Sequence, residues 1–552
     1  MRKTILFLFL TLLVFQEVFS QDKKVFTHAD TLRGSDTPQR AWWDVTFYDL
    51  HVCVNPEDSS ISGYNGITYK VIKTSSSQND PSGNEMQIDL MTPLMIDSVV
   101  QDGRRLQFHR EENAFFIELI SEQPLGSHNS LRVYYHGRPR IARNPPWDGG
   151  FIWKRDSLGN PWIATACQGV GASIWWPNKD FQADEPDSQR IAITVPDTLM
   201  DVSNGRLRKR ILNPDGTMTY EWFVRNPINN YDVAVNIAKY VHFHDVYKGE
   251  KGPLTLDYYV LPYHLEQAES QFQQVKSMLK CFEYWFGPYP WYKDGYKLVE
   301  APYLGMEHQS CIAYGNHYGN GYLGRDLSGT DWGSKWDFII VHESAHEWFG
   351  NNITTKDLAD MWVHESFANY AESLYTECLF GKKAGAQYVE GVRHVKNDEP
   401  IVGRYGVNDE GSGDMYNKGG NMLHTIRQIL HDDTKWRNIL RGLNRTFWHQ
   451  TVTGKQIEDY ISENSGIDLS KVFHQYLNTT EIPVFEYKIH GSLLNYRWSN
   501  VVPGFNMPLK VSFSRDQYVF IYPITAWKSM PVPDIKDLKV DQDFYVEAKR
   551  VN

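Results

Sequence analysis

Four residues in the middle of the chain have the types and spacing of a metal site. His342 and His346 are four positions apart, so on a helix both imidazoles project from one face. Glu343 lies beside the first histidine and can reach a water on an ion held by the pair. Glu365 supplies a third ligand and leaves a fourth position for water. The pattern therefore predicts one catalytic zinc per chain, held by His342, His346 and Glu365, with Glu343 as general base.

Two helices must position these residues. The apolar residues 338–341 suit a first helix that is buried on most sides, and Gly350 followed by two asparagines suits its end. A second helix is predicted over residues 362–379 and ends before Gly381. Eighteen residues separate His346 from Glu365, which is enough chain for the second helix to return alongside the first.

Two more residues are predicted on the metal-facing side of the second helix. Asn369 and Glu372 follow Glu365 by four and seven positions, so either can support a ligand from outside. His364 and Glu347 are direct neighbours of ligands, but helix geometry turns neighbours about 100° away. We therefore assign these two residues no role.

The combination of His-Glu-x-x-His, eighteen residues and a glutamate resembles the gluzincin aminopeptidases, the family of aminopeptidase N and the leukotriene hydrolases. Trp362, three positions before the glutamate, also fits that pattern. The resemblance implies a thermolysin-like, mainly helical catalytic domain. It is strongest to exported bacterial members without the helical C-terminal domain of many relatives, since this sequence stops at Asn552.

A second motif resembles the Gly-x-Met-Glu-Asn signature of the same family. Met306 and Glu307 match it, whereas Leu304 stands for the first glycine and His308 for the asparagine. The resemblance implies that Gly305 and Met306 form an edge strand that pairs with the substrate backbone. It also implies that the carboxylate of Glu307 binds the free α-amino group, which is largely charged at neutral pH.

Three further positions are assigned roles by the resemblance. Gln168 matches a glutamine that touches the amino end of the substrate, although Cys167 replaces the usual threonine and Val170 replaces a polar residue. Tyr416 matches the tyrosine of a Tyr-x-Lys-Gly segment, whose hydroxyl donates to the oxyanion without carrying charge. Tyr303 stands where relatives line the pocket for the first side chain.

Composition limits the classes of protein to consider. The chain has 552 residues, enough for two to four domains, and 41% hydrophobic with 22% charged residues is a globular composition. A formal net charge of −11 argues against a nucleic-acid partner. The five cysteines form no Cys-x-x-Cys pair and show no disulfide framework, so we expect mostly buried free thiols.

The patterns predict a multidomain α+β fold. Residues 21–243 alternate short apolar and aromatic runs with turn signals, which predicts an antiparallel β domain. Residues 244–482 form the predicted metallopeptidase domain, which includes an amphipathic helix over residues 265–286. Pro483 marks the return of short β runs, so residues 483–552 are predicted to be a small C-terminal β-sandwich.

Residues 1–20 have the pattern of a signal peptide. Arg2 and Lys3 precede an apolar core at residues 5–15, and cleavage after a Val-Phe-Ser sequence would leave Gln21 first. The core is short for a membrane span, although an uncleaved anchor is the alternative. We therefore expect an exported protein, periplasmic or extracellular, with no membrane span in the mature chain.

Three functions are compatible with these patterns. The favoured function is a zinc aminopeptidase that acts on peptides with a free N-terminus. The second is a zinc endopeptidase or an epoxide-hydrolase-like relative, because Val170 and His308 depart from the amine-site pattern. The third is a non-catalytic scaffold that kept the fold for peptide binding. The preferred first residue, the physiological substrate and the oligomeric state stay open.

Overall fold

The computed structural model describes residues 24–73, 85–121, 123–513, 517–532 and 538–551. The predicted signal peptide, residues 1–20, lies outside the described residues. A β-rich N-terminal part, a mainly helical central part and a small C-terminal pair of sheets follow one another along the chain. This is the multidomain α+β fold expected from the sequence. The domain boundaries proposed above stay predictions.

A ten-stranded sheet and a four-stranded sheet build the N-terminal part. The long strand Trp43–Asn55 lies inside the larger sheet, and its residues alternate between buried and more exposed positions. In spatial order the larger sheet consists of Arg206–Leu212, Thr217–Val224, Ser188–Pro196, Trp43–Asn55, Ser60–Val71, His128–Gly137, Met95–Gln101, Arg104–Glu111, Ala114–Glu118 and Glu85–Asp89. The smaller sheet consists of Met200–Val202, Asn236–Ala238, Pro161–Ala166 and Gly150–Arg155.

A five-stranded sheet joins the N-terminal part to the helices. Successive side chains of a strand point to opposite faces, so Tyr258 packs in the core of the helical part and Tyr259 in the N-terminal core. The last strand is the edge of the sheet and pairs antiparallel with its neighbour. In spatial order the strands are Val241–Gly249, Gly252–Val260, Tyr296–Glu300, Ile312–Tyr314 and Gly305–Met306.

Ten α-helices are present in the described parts of the chain. They are His28–Gly34, Leu265–Gln271, Gln274–Phe286, Phe338–Ala345, Trp362–Phe380, Lys382–Gly391, Asn417–Leu430, Asp433–Thr446, Gly454–Ser465 and Ser470–Asn478. Short turns of helix add Ala172–Ile174, Asn230–Asp232, Pro262–His264, Glu347–Asn351, Leu358–Asp360 and Gly413–Met415. Within the described ranges, no helix combines the length and apolar composition that crossing a membrane requires.

The predicted helix over residues 265–286 is two helices, Leu265–Gln271 and Gln274–Phe286. Phe272 directly follows the first helix, and its N–H donates to the carbonyl of Ala268 at 2.9 Å. Phe272 is buried, with its ring 5.0 Å from the ring of Tyr314. The apolar periodicity of the sequence continues from the first helix into the second, because Phe272 between them is itself part of the core.

Two small sheets form the C-terminal part, and the β-sandwich expected there stays a prediction. Their buried residues, such as Phe485 and Trp498, belong to the same apolar core as the central helices. One sheet consists of Lys528–Pro531, Leu493–Ser499, Val484–His490 and Glu547–Arg550, and the other of Tyr518–Ile521, Leu509–Ser512 and Lys539–Val540. A two-stranded parallel pair, Ile353–Thr355 with Gln450–Val452, lies in the central part.

The expectation of mostly buried free thiols is wrong for two cysteines. Cys281 and Cys378 form a disulfide that joins the helix Gln274–Phe286 to the helix Trp362–Phe380. The sequence did not show this bond because 97 residues separate the two cysteines and only helix packing brings them together. The remaining cysteines are free: Cys167 and Cys311 are buried and Cys53 is exposed.

We expect loss of this disulfide to lower the free energy of unfolding. The double replacement of Cys281→Ser and Cys378→Ser frees a loop of 97 residues, for which chain entropy sets an upper limit of about 4–5 kcal/mol. Urea denaturation measures the loss. Cys53→Ser, at an exposed free thiol, is the control and should change stability by less than about 0.5 kcal/mol. Thiol titration of the unfolded, unreduced protein should find the three free thiols; finding all five cysteines reactive would show that the bond does not form.

Candidate metal centre and active site

The helix Phe338–Ala345 presents His342 and leads into His346. Asp337 caps its start, because Oδ1 accepts from the N–H of Ile339 at 3.1 Å and of Ile340 at 3.3 Å. This contact satisfies two of the donors that a helix start leaves free. The apolar side chains of the first turns are buried, so packing holds the helix where the sequence predicted a largely buried element.

The regular helix ends at Ala345, earlier than the predicted end at Gly350, and the chain then bends within Glu347–Asn351, where Phe349 and Gly350 have non-helical backbone angles. Gly350 has a φ of 134°, a value that side chains with a Cβ rarely adopt. A Cβ at Gly350 would also lie 3.1 Å from Nδ1 of His346. The bend places the carbonyl of Phe349 3.0 Å from that Nδ1, so the backbone itself orients the second imidazole.

The helix Trp362–Phe380 carries Glu365 in its first turn, close to the bounds predicted for it. Two turns later it carries Glu372, which faces the same side. The helix packs against Phe338–Ala345, and this packing brings the carboxylates of one helix to the imidazoles of the other. The eighteen-residue gap seen in the sequence is thereby closed in space.

The three predicted ligands converge on one point. Nε2 of His342 and Nε2 of His346 are 3.4 Å apart, and Oε2 of Glu365 lies 3.6 Å and 3.4 Å from them. Bonds of about 2.0–2.1 Å to a tetrahedral zinc place the ligand atoms about 3.3–3.4 Å apart, so this triangle fits zinc. Oε2 of Glu365 is buried without a hydrogen-bond partner among the described residues, as suits an atom that binds a cation.

An outer carboxylate orients the first histidine. Nδ1 of His342 lies 2.8 Å from Oε1 of Glu372, and Oε2 of Glu372 accepts from the hydroxyl of Tyr388 at 2.6 Å. Because Nδ1 faces a carboxylate, it carries the proton and leaves the lone pair of Nε2 for a metal. Of the two residues predicted to support a ligand, Glu372 does so, whereas Asn369 donates to Asn417 at 3.4 Å.

Acidic side chains outnumber basic side chains around the predicted ligands. Burial raises the pKa of Glu343 to about 7, against the lowering effect of His342. Burial opposes charge on His346, but the carboxylates of Glu365 and Glu307 outweigh it and raise the pKa of the imidazole to about 9. The protein therefore gathers more buried negative charge here than its own cations neutralise, and a divalent cation offsets that charge.

Glu307 and Gln168 meet at one wall of the site. Glu307 is buried, and Nε2 of Gln168 donates to its Oε1 at 2.5 Å and to Oε1 of Glu365 at 3.2 Å. Ligand atoms of Glu307, Glu343 and His346 all lie within 4.8 Å of one another. A glutamine from the N-terminal part is thus placed against a metal ligand and against the carboxylate assigned to amine binding.

The edge strand Gly305–Met306 runs directly into Glu307, as the sequence comparison implied. A Cβ added to Gly305 would lie 2.8 Å from Oε1 of Glu343. Glycine at this position therefore lets the strand approach the predicted general base. Both strand residues line the cavity.

Tyr416 lines the same cavity, immediately before the helix Asn417–Leu430. Its ring stacks on the imidazole of His342 with centroids 6.0 Å apart. Burial raises the pKa of the hydroxyl well above its ordinary value, so Tyr416 is a neutral donor at physiological pH. That is the state required of a group that donates to a developing oxyanion.

The cavity measures about 920 Å³, a volume typical of ligand sites. Several lining residues were not singled out from the sequence, because isolated residues in separate elements form no local motif. They are Trp147, Tyr322, Leu327, Val392, Asp409 and Glu410. The hydroxyl of Tyr388 behind Glu372 was missed for the same reason.

The structure does not bring Tyr303 to the cavity. Its hydroxyl donates to the carbonyl of Thr165 at 3.0 Å, and its neighbour Leu304 lines the cavity instead. His308 is fully buried away from the cavity, and burial lowers its pKa to about 3. His308 therefore does not line the cavity, whereas Val170 does.

Residues 270–476 match the peptidase family M1 domain. The chain carries a peptidase family M1 domain. The matched range contains the three ligands together with Glu307, Glu343 and Tyr416, so the resemblance to the gluzincin family seen in the sequence is confirmed.

Relatives of the M1 domain extend the comparison beyond the matched range. Leucine aminopeptidase 2 of Vanderwaltozyma polyspora is 24% identical over 437 residues, which are 75% of this chain and 58% of that protein. Probable aminopeptidase 2 of Sulfurisphaera tokodaii is 22% identical over 438 residues, or 75% of this chain and 52% of that protein. This chain thus spans only about half the length of these relatives.

A solved structure shares the fold. A mutant M1 zinc metallopeptidase from Deinococcus radiodurans, bound to a Tyr-Ser-Ala substrate, superposes with a TM-score of 0.65 at 19% identity. The match covers 81% of this chain and 96% of that one. The N-terminal β part and the M1 domain therefore occur together elsewhere in the same arrangement.

We expect Glu372→Ala to weaken zinc binding by about 10- to 100-fold, because Nδ1 of His342 loses its acceptor. Tyr388→Phe keeps the carboxylate and should weaken binding less. Competition with a chromogenic chelator measures both affinities. Asn369→Ala lies on the same helix face without a hydrogen bond to His342 and should bind zinc as wild type does. Unchanged affinity in Glu372→Ala would contradict the orienting role.

Proposed function

We propose that the protein is a zinc aminopeptidase that removes the first residue from peptides. The position of Glu307 carries this proposal, because its carboxylate lies within 4.8 Å of the ligand atoms of Glu343 and His346. In a peptide, the α-nitrogen and the first carbonyl carbon are about 2.5 Å apart. An ammonium bound by Glu307 therefore presents the first peptide bond, rather than a later one, to the base and the metal ligands.

The chain's own residues divide the chemistry between them. His342, His346 and Glu365 would hold a zinc ion, which would supply a Lewis acid and lower the pKa of water towards about 7. Glu343 accepts the proton of the attacking water and passes it to the leaving amine. Tyr416 donates its hydroxyl to the oxygen that gains negative charge.

Recognition of the free amine rests on Glu307 and Gln168. The α-ammonium of a peptide has a pKa near 8, so it is largely charged at neutral pH and pairs with a fixed carboxylate. Nε2 of Gln168 is occupied by Glu307 and Glu365, which leaves its Oε1 as an acceptor for the amine. The edge strand Gly305–Met306 offers backbone groups to the peptide as an added strand.

Acetylation of the substrate amine tests this function. We expect kcat/KM for an N-acetylated peptide to be lower than for its free-amine twin by a factor on the order of 10² to 10³ or more. Acetylation removes one partner of a buried ion pair, a loss of about 3–5 kcal/mol. Glu307→Ala should slow cleavage of the free peptide and shrink the difference between the two substrates.

Two controls separate the alternatives. Glu343→Gln keeps the shape of the side chain and should retain zinc while losing activity towards both peptides, as a chelator should in the wild type. Equal cleavage of both peptides by the wild type would replace the aminopeptidase by an endopeptidase. A zinc-loaded wild type that cleaves neither peptide would favour a non-catalytic peptide-binding scaffold.

We also propose that the chain is exported and cleaved before Gln21. The basic start and apolar core of residues 1–20 support this proposal, as does the disulfide Cys281–Cys378, since disulfides persist in oxidising compartments. N-terminal sequencing of the periplasmic or secreted protein should begin at Gln21. A full-length chain recovered only from the cytoplasm would contradict export.

A further inference from the structure

The loop that carries Gln168 is a tight turn that depends on two glycines. We define the Gln168 turn as residues 167–171, in which the N–H of Gly171 donates to the carbonyl of Cys167 at 2.7 Å. Gly169 and Gly171 have φ values of 68° and 93°. Two glycines in the left-handed region make the turn possible, but glycine also gives the backbone its greatest freedom. Contacts from outside the turn must therefore fix the direction of the glutamine.

Two side chains that are far apart in the sequence converge on the turn. The carbonyl of Gly169 accepts from Nη2 of Arg33 at 2.8 Å and from Nδ2 of Asn408 at 3.2 Å. Arg33 lies in the helix His28–Gly34 near the start of the described chain, whereas Asn408 belongs to the M1 domain. The carbonyl next to Gln168 thus has a charged donor on one side and a neutral donor on the other.

Arg33 is itself held in place. Its own carbonyl accepts from Nη1 of Arg40 at 3.0 Å, and Arg40 is fully buried and paired with Asp89. The guanidinium lies close to Asp180, since a Cβ built on Gly171 would approach Oδ2 of Asp180 and Nη2 of Arg33 together. The backbone that carries Arg33, the donor to the Gln168 turn, is therefore held by contacts with the buried residue Arg40.

Asp180 fixes the far end of the same loop. Its carboxylate accepts from the N–H of Ala172 at 3.3 Å and from the N–H of Ser173 at 3.1 Å. The chain after the turn is thus tied to Asp180, and the middle of the turn is tied to Arg33 and Asn408. A Cβ at Gly171 would lie 2.3 Å from Oδ2 of Asp180, so the turn approaches these charged groups too closely for any other residue.

We propose that Arg33 is a positioning residue for amine recognition, acting through the carbonyl of Gly169 on the side chain of Gln168. Arg33 touches no reacting atom. By holding the turn, it keeps Nε2 of Gln168 between Glu307 and Glu365, at 2.5 Å and 3.2 Å. The inference rests on the proposed aminopeptidase function. Through Arg33, the helix His28–Gly34 contributes to the site, although it lies outside residues 270–476, the range that matches the M1 domain.

A double-mutant cycle tests the proposal. Gln168→Ala removes the amide that contacts Glu307, and we expect kcat/KM for a free-amine peptide to fall about tenfold, the effect of losing a hydrogen bond to a charged group. Arg33→Met should cause a similar fall. In the background of Gln168→Ala, Arg33→Met should add less than about a twofold loss, because both changes remove one function. Zinc content should stay at the wild-type value in all variants.

A control variant tests whether the loss of an unrelated arginine also lowers kcat/KM. Arg190→Met removes an arginine paired with Asp49 in the same N-terminal part and should leave kcat/KM unchanged. Should Arg33→Met fail to fold, Arg33→Lys and Asn408→Ala enter the same cycle, since each weakens one donor to Gly169. Their losses should likewise vanish in the background of Gln168→Ala.

Three results would overturn the proposal: full kcat/KM in the Arg33 variants, losses that multiply with that of Gln168→Ala, or a loss explained by missing zinc. Failure of the proposed function would be seen in the wild type alone. The wild type would then cleave the N-acetylated peptide as efficiently as the free-amine peptide. A wild type that prefers free amines while its Arg33 variants behave normally would therefore reject only the positioning role.

Discussion

Four carboxylates, those of Glu307, Glu343, Glu365 and Glu372, are buried around two imidazoles. Burying charge without a partner is costly, and like charges at close range raise that cost. The imidazoles offset only part of the negative charge, so the arrangement favours a divalent cation at the point where three ligand atoms lie 3.4–3.6 Å apart. The helices Phe338–Ala345 and Trp362–Phe380, which carry three of these carboxylates, are buried along most of their length.

The five-stranded sheet connects the charged site to the rest of the fold. Its two faces belong to two different cores, through neighbours such as Tyr258 and Tyr259. The edge strand Gly305–Met306 is therefore fixed from both sides and delivers Glu307 to the metal ligands. The N-terminal part contributes more than a platform, since Gln168 reaches across to Glu307 and Glu365. The site is consequently built from both parts, and its geometry depends on how their shared sheet is packed.

Local patterns were sufficient for much of this arrangement. The spacing of His342 and His346 and the following Glu365 predicted the ligand triangle, because a helix fixes which side chains share a face. The same periodicity predicted Glu372 but could not separate it from Asn369, since both face the correct side and only packing decides which one reaches His342. The break at Phe272 and the disulfide Cys281–Cys378 also escaped prediction, because each depends on contacts with distant residues.

The sequence by itself predicted the fold class, the metal ligands and the acid–base residue. Periodic patterns of apolar residues predicted the fold class, whereas residue types at a characteristic spacing, together with a family resemblance, predicted the site residues. The tertiary structure alone decided that Tyr303 turns away to Thr165, that Tyr388 supports Glu372, and that Arg33 holds the Gln168 turn. These contacts join residues that are far apart in the chain and carry no motif. Their partners are chosen by the packing of whole elements, which periodicity within one segment cannot express.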